Sequence, residues 1–135
     1  MNQSAAGLLD TSVFIARETD RPLGELPDRV AVSVVTIGEL QLGVLNAPDD
    51  LARARRAGTL ALARTADPLP ITEAIMVAWA RLVSDCRNAG LHKTVKLNDA
   101  LIAATAIEHG LPVVSQDDDY RQIARAHQPL HVIEV

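Results

Sequence analysis

The chain is poor in the residues that usually announce a function. Cys86 is its single cysteine in 135 residues, which excludes an intrachain disulfide and a cysteine-built zinc site. One cysteine fits a reducing, cytoplasmic setting. Cys86 falls on the apolar face of a predicted helix and reads as a core thiol rather than a nucleophile. Aromatics are limited to Phe14, Trp79 and Tyr120, too few for a platform that stacks single-stranded bases. Trp79 fits a core stripe. Positive charge is not in excess: 13 Lys and Arg face 17 Asp and Glu, a net charge of −4, whereas nucleic-acid binders usually carry a basic surface. There is no uninterrupted run of roughly 18 apolar residues, so no membrane span is expected. Met1-Asn2-Gln3-Ser4 lacks the charged start of a signal peptide. The histidines His92, His109, His127 and His131 show no metal-ligand spacing and read as surface or structural.

The length corresponds to one domain, residues 1–135, and an apolar fraction of 48% supplies a core. Strand and helix patterns alternate. Gly7-Leu8-Leu9 predicts a short buried strand, followed by a helix from Ser12 to Arg17 with Thr11 or Ser12 as its cap. Pro22, Gly24 and Pro27 mark a loop. The β-branched run Val30–Val35 predicts a buried parallel strand. Thr36 is the expected cap of a helix reaching about Leu45, and a second helix spans Leu51 to Arg64. Pro68-Leu69-Pro70-Ile71 is at best a poor strand, because proline cannot donate to a ladder. Thr72 caps a long helix that Gly90 ends, and Asn98 caps another from Asp99 to His109, closed by Gly110. Pro112–Ser115 predicts a strand, Asp119–Ala126 a helix and Leu130–Val135 a last strand. Such alternation implies an α/β fold, a short parallel sheet with helices on both faces. Ligands then bind beyond the carboxyl ends of the strands.

Acidic residues stand where the predicted elements change type. Asp10 leaves the first strand, Glu39 opens a helix, Asp99 opens another, and Asp117 follows Val113-Val114-Ser115. Each has an ordinary explanation. Asp10, Thr11 and Ser12 are common cap residues. Thr36-Ile37-Gly38-Glu39 has the form of a capping box. Asp99 suits a helix dipole, and Gln116–Asp119 suits a solvated turn. Together they can converge, and converging carboxylates repel unless a cation compensates. An oxygen-only ligand set suits Mg²⁺ or Mn²⁺, which points to metal-assisted chemistry on a phosphate. Setting those acids aside with Asp119, the rest of the chain is nearly neutral.

The residues Leu9-Asp10-Thr11-Ser12, Thr36-x-x-Glu39-Leu40 with Gly43, Asn98-Asp99 before Ile102-Ala103-Ala104-Thr105-Ala106, and Leu111–Asp117 with Asp119 carry a resemblance across essentially the whole chain. It resembles the PIN-domain family of metal-dependent ribonucleases and looks most like the VapC toxins of bacterial toxin–antitoxin pairs. Ser115 stands where that family more often has Thr, and Tyr120 where Phe is usual. The resemblance implies a three-layer PIN-like fold and an endoribonuclease using Mg²⁺ or Mn²⁺. Asp10, Glu39, Asp99 and Asp117 would be metal-binding catalytic carboxylates, with Asp119 a further or outer ligand. Thr11, Ser12 and Ser115 would be the hydroxyls that orient them. It also implies an RNA substrate, a VapB-type antitoxin as partner and a homodimer.

Lys93 and Lys96, in the Leu91–Leu97 loop beside Asp99, are the best-placed phosphate contacts, followed by Arg17 and Arg21. Arg53, Arg55 and Arg56 form a basic cluster that a solvated helix face explains equally well. The Leu- and Ala-rich helices between Ile37 and Arg64 exceed one buried stripe, so they offer either core packing or a groove for an amphipathic segment. Two other readings are weighed. A non-catalytic PIN-fold module would bind RNA or metal without cutting. A receiver-type signalling domain shares the size and sheet, but needs paired acids after the first strand and a late Lys. Leu8-Leu9-Asp10 offers one acid and Val113-Val114-Ser115 no Lys.

Overall fold

The computed structural model describes residues 5–135, so the amino-terminal reading of residues 1–4 lies outside the described residues. Among these residues four strands form one parallel sheet: β1 (Ala6–Leu9), β2 (Arg29–Ala31), β3 (Val113–Ser115) and β4 (Val132–Glu134). Their order is β2-β1-β3-β4. Six helices complete the fold among the described residues: α1 (Thr11–Glu18), α2 (Val34–Leu45), α3 (Asp50–Arg64), α4 (Glu73–Asn88), α5 (Leu97–Glu108) and α6 (Asp119–Ala126). No helix among the described residues is long and apolar enough to cross a membrane.

The two-residue period of the strands sorts the core into two halves. Leu8 pairs with Val113, and Leu9 with Val114. Leu8 and Val113 share one apolar cluster with Leu82 of α4, Ile102 and Ala103 of α5, and Ile123 of α6. Leu9 and Val114 face the other way, onto Val13 and Phe14 of α1, Leu40 of α2 and Leu60 of α3. The sheet is therefore covered on both faces, as the alternation of elements predicts.

Close packing in the sheet needs a glycine at position 7. A Cβ there would lie 2.5 Å from Val114 Cγ2 and 3.2 Å from Pro27 Cγ. Gly7→Ala should cost about 1–3 kcal/mol. The check is a denaturant melt, and an unchanged midpoint would show that β1 and β3 can part at no cost.

Several boundaries differ from the sequence expectation, each for a local reason. The run Val30–Val35 does not continue as a strand. Buried Ser33 accepts a hydrogen bond from the Val35 amide at 3.0 Å and caps α2, so the cap overrides the β-branched pattern. β2 is an edge strand with Val30 exposed. Asp10, not Thr11 or Ser12, caps α1. Lys96 precedes α5, with Asn98 already inside the helix and no side-chain cap. The Pro68–Ile71 segment meets the sheet through one bridge, Ser33 to Leu69, with Leu69 bonded through both its N–H and its carbonyl. The flanking prolines allow no more. Thr72 caps α4 as expected, accepting from the Ile75 amide at 3.2 Å. Gly90 and Gly110 adopt φ of +78° and +66° after α4 and α5, the left-handed turn that ends a helix.

Candidate metal centre

β1 has β2 on one side and β3 on the other. The chain thus leaves β1 in one direction and returns to its opposite side, which opens a crevice at the carboxyl ends of β1 and β3. The acidic residues gather around that crevice. Asp10 ends β1, Asp117 lies just past β3, Asp119 is in the first turn of α6, and Asp99 is in the first turn of α5. Glu39 reaches in from the middle of α2. One carboxylate oxygen each from Asp99, Asp117 and Asp119 lie within 4.8 Å of one another.

Asp10 forms the buried floor and is only 4% exposed. Its Oδ2 accepts from Ser115 Oγ at 2.9 Å and from the Ser12 amide at 3.3 Å, and its Oδ1 accepts from the Tyr120 hydroxyl at 2.8 Å. Ser12 Oγ lies 3.2 Å from Ser115 Oγ and accepts from the Gln116 amide at 3.0 Å, which ties α1 to the chain leaving β3. Asp117 Oδ1 accepts from the Asp119 amide at 3.0 Å, and Ser115 Oγ from the Asp117 amide at 2.8 Å. Thr11 donates to Glu39 Oε1 at 2.6 Å, with Thr36 Oγ1 3.0 Å behind it.

Asp99 is the electrostatic centre. Burial, then the neighbouring Asp10 and Asp117 carboxylates, push its pKa up to about 6, with Glu39 adding to the effect and the Tyr120 hydrogen bond opposing it. Its Oδ2 is buried without a hydrogen-bond partner among the described residues. A buried carboxylate oxygen among other carboxylates, with no donor of its own, is a costly arrangement in isolation. A hard divalent cation would resolve it, and the donor set is all oxygen. The residues therefore fit such an ion.

Glu39 closes no capping box. Ser33 caps α2, Thr36 is buried, and Glu39 is held by Thr11 and, at 3.4 Å, by the Asn98 side-chain amide. Gly38, beside it, has open space around it. Sequence reasoning missed Asn98 as a Glu39 contact and treated Tyr120 as a mild exchange for Phe. The signal for the latter was one hydroxyl on a residue next to Asp119.

The cations divide. Lys93 and Lys96 are exposed, and neither is in an ion pair among the described residues. Arg53 pairs with Asp50, and Arg56 donates to the Gly43 carbonyl at 2.7 Å, so part of that cluster serves the α2–α3 hairpin. Trp79 is only half-buried. It lines a cavity of about 180 Å³ with Cys86, His92 and Lys96. Burial and then Asp85 raise the Cys86 thiol pKa, which keeps it an inert core thiol. His127 is buried and lies 2.7 Å from Asp85. It is structural.

Comparison with known proteins agrees with this architecture. The PIN domain family matches residues 7–126. The chain is 68% identical over 100 residues to Ribonuclease VapC8 of Mycobacterium tuberculosis, covering 74% of this chain and 89% of that one. It is 52% identical over 118 residues to Ribonuclease VapC4 of the same organism, covering 84% and 87%. The crystal structure of VapBC-5, a toxin–antitoxin system of Mycobacterium tuberculosis, superposes with a TM-score of 0.85 at 40% identity, covering 97% of this chain and 99% of that chain. The chain belongs to the PIN-domain family, on its VapC branch.

Proposed function

We propose that the protein is an endoribonuclease that hydrolyses RNA phosphodiesters with Mg²⁺ or Mn²⁺, and that it is the toxin of a toxin–antitoxin pair acting in the cytoplasm. The observation that carries the reading is the unpartnered, buried Asp99 Oδ2 within an acidic cluster at the switch point of a parallel sheet. Asp10, Glu39, Asp99, Asp117 and Asp119 would hold the ion. Bound there, it would supply an activated water and offset charge on the phosphate. The side chains themselves position and exclude. The hydroxyls of Thr11 and Ser115 are already committed to Glu39 and Asp10, so they orient carboxylates and are not nucleophiles. No histidine reaches the carboxylates through a hydrogen bond among the described residues. No protein side chain is thus placed as the nucleophile, and in the proposed hydrolysis that part falls to water.

Incubating the purified protein with RNA, with Mn²⁺ and then with a chelator, tests this directly. Cleavage that survives the chelator, or no cleavage at any Mn²⁺ concentration, defeats the reading; the second outcome favours a non-catalytic RNA-binding module.

Lys93 and Lys96 would hold the RNA backbone near Asp99. Lysine is a point charge on a flexible stem, so it grips phosphate without reading bases. The double Ala variant should raise KM for RNA and lower the salt slope of binding by about one to two. A changed cleavage position at unchanged affinity would contradict this role.

The partner would be a VapB-type antitoxin. VapBC-5, similar to this chain over nearly its full length, is a member of a toxin–antitoxin family. Exposed Leu42, Leu45 and Leu51 flank the α2–α3 connection, and a cavity against α2 is lined by Ile15, Leu40 and Gly43 with Glu18, Thr19, Glu39 and Arg56. An amphipathic segment of the antitoxin fits such a face. A second copy of the chain completes the proposed toxin as a homodimer.

A further inference from the structure

We propose that the Tyr120 hydroxyl is the positioning group that aims the Asp99 carboxylate at the divalent ion. This inference rests on the metal-dependent reading given above. Tyr120 is fully buried, in the first turn of α6. Its ring packs in the apolar cluster of Leu8, Ile102 and Ile123, and its hydroxyl lies 2.8 Å from Asp10 Oδ1 and 3.3 Å from Asp99 Oδ1. A phenol has one proton to donate. The shorter contact takes it for most of the time, and Asp99 shares it.

The consequence differs for the two acids. Asp10 keeps Ser115 and the Ser12 amide on its other oxygen whatever happens at position 120. Asp99 has no such reserve. Tyr120 is the one hydrogen-bond partner of its carboxylate among the described residues. With Oδ1 turned to the phenol, Oδ2 is the atom left over, and it is the atom with no partner. The side-chain torsion of an aspartate carboxylate is broad and roughly two-fold, so nothing else in the hydrogen-bonding pattern selects this orientation. Without the hydroxyl, repulsion from Asp10 and Asp117 would turn the carboxylate away from them. A phenylalanine fills the same apolar volume, so the aromatic ring explains the packing and leaves the oxygen to be explained by the carboxylates.

The test compares the wild-type protein with Tyr120→Phe, both stripped of metal. Mn²⁺ binding is followed by calorimetry, with thermal melts in chelator alongside. Loss of a group that orients a metal ligand typically weakens binding by 10–100-fold. The dissociation constant for Mn²⁺ should accordingly rise on the order of tenfold, while the chelator melt stays single and cooperative. In RNA cleavage, half-saturating Mn²⁺ should rise by the same factor, and the rate at saturating Mn²⁺ should return to within a few-fold of wild type. A lower melt with an unchanged Mn²⁺ constant makes Tyr120 merely structural and overturns the proposal. Tighter Mn²⁺ binding by the variant overturns it too, since the hydroxyl would then compete with the ion. Should wild type itself take up no Mn²⁺, the metal-dependent function falls, a result distinct from equal binding by the two proteins.

Discussion

Asp99→Asn is expected to abolish RNA cleavage and, in the ion-free protein, to raise thermal stability. The two effects have one cause. The buried carboxylate is repelled by Asp10 and Asp117, and its pKa is pushed from 3.8 up to about 6. The folded chain therefore holds a proton that the unfolded chain releases between those values. Stability of the ion-free protein from this group falls as pH rises from about 4 to about 6, and stays low above. Asparagine carries no charge and removes the penalty. Allowing for solvent screening at a partly buried site, the gain at pH 7.5 is about 1–2 kcal/mol, or roughly 3–8 °C in Tm. It should vanish near pH 4. Cleavage should drop by a factor on the order of 10³ or more, equivalent to about 4 kcal/mol of barrier. Adding Mn²⁺ should raise the Tm of wild type and leave the variant unmoved. Retained cleavage at saturating Mn²⁺ would remove Asp99 from the centre. Asp10→Asn should not share the stabilisation. Asp10 accepts from Tyr120, Ser115 and the Ser12 amide, and an amide nitrogen in either position would face a donor.

The second large effect concerns the partner. Leu42 and Leu45 are 58% and 67% exposed on α2, where a solitary protein gains nothing from them. Placing Asp at both should raise the dissociation constant for the antitoxin by about 100-fold or more, the loss expected when central apolar anchors are removed. In cells, wild-type toxin with antitoxin should permit growth, and the double Asp variant with the same antitoxin should arrest it. Combining the double variant with Asp10→Asn should restore growth. Co-purification of antitoxin with the double variant at undiminished yield would move the docking face elsewhere. Equal growth of wild type and Asp10→Asn without antitoxin, at matched expression, would end the toxin assignment.

Much of the fold was legible because its determinants are local. Thr72, Gly90 and Gly110 mark helix ends that need only a hydroxyl or a left-handed turn. Leu8 with Leu9, and Val113 with Val114, mark a strand buried on both sides. The misplacements came where two local signals competed. At Ser33 a buried cap displaced a β-branched run. Thr36 looked like a cap because Glu39 follows at the right spacing, yet both side chains are spent on contacts around Thr11. The carboxylates were visible as a pattern, since each stands at the end of an element. Their division of labour was not. That Asp10 is saturated with donors while Asp99 is nearly bare depends on Tyr120 and Ser115, more than a hundred residues from Asp10, and no periodicity encodes such a contact.

Those separations also set a clock. The floor of the centre joins residue 10 to residues 115 and 120. β3 must slot beside β1 before Ser115 can meet Asp10, and α6 must dock before Tyr120 can. A ribosome making this protein therefore holds Asp10 without these partners until more than a hundred further residues have been added. Truncation anywhere before α6 leaves Asp10 and Asp99 without the Tyr120 hydroxyl that joins them.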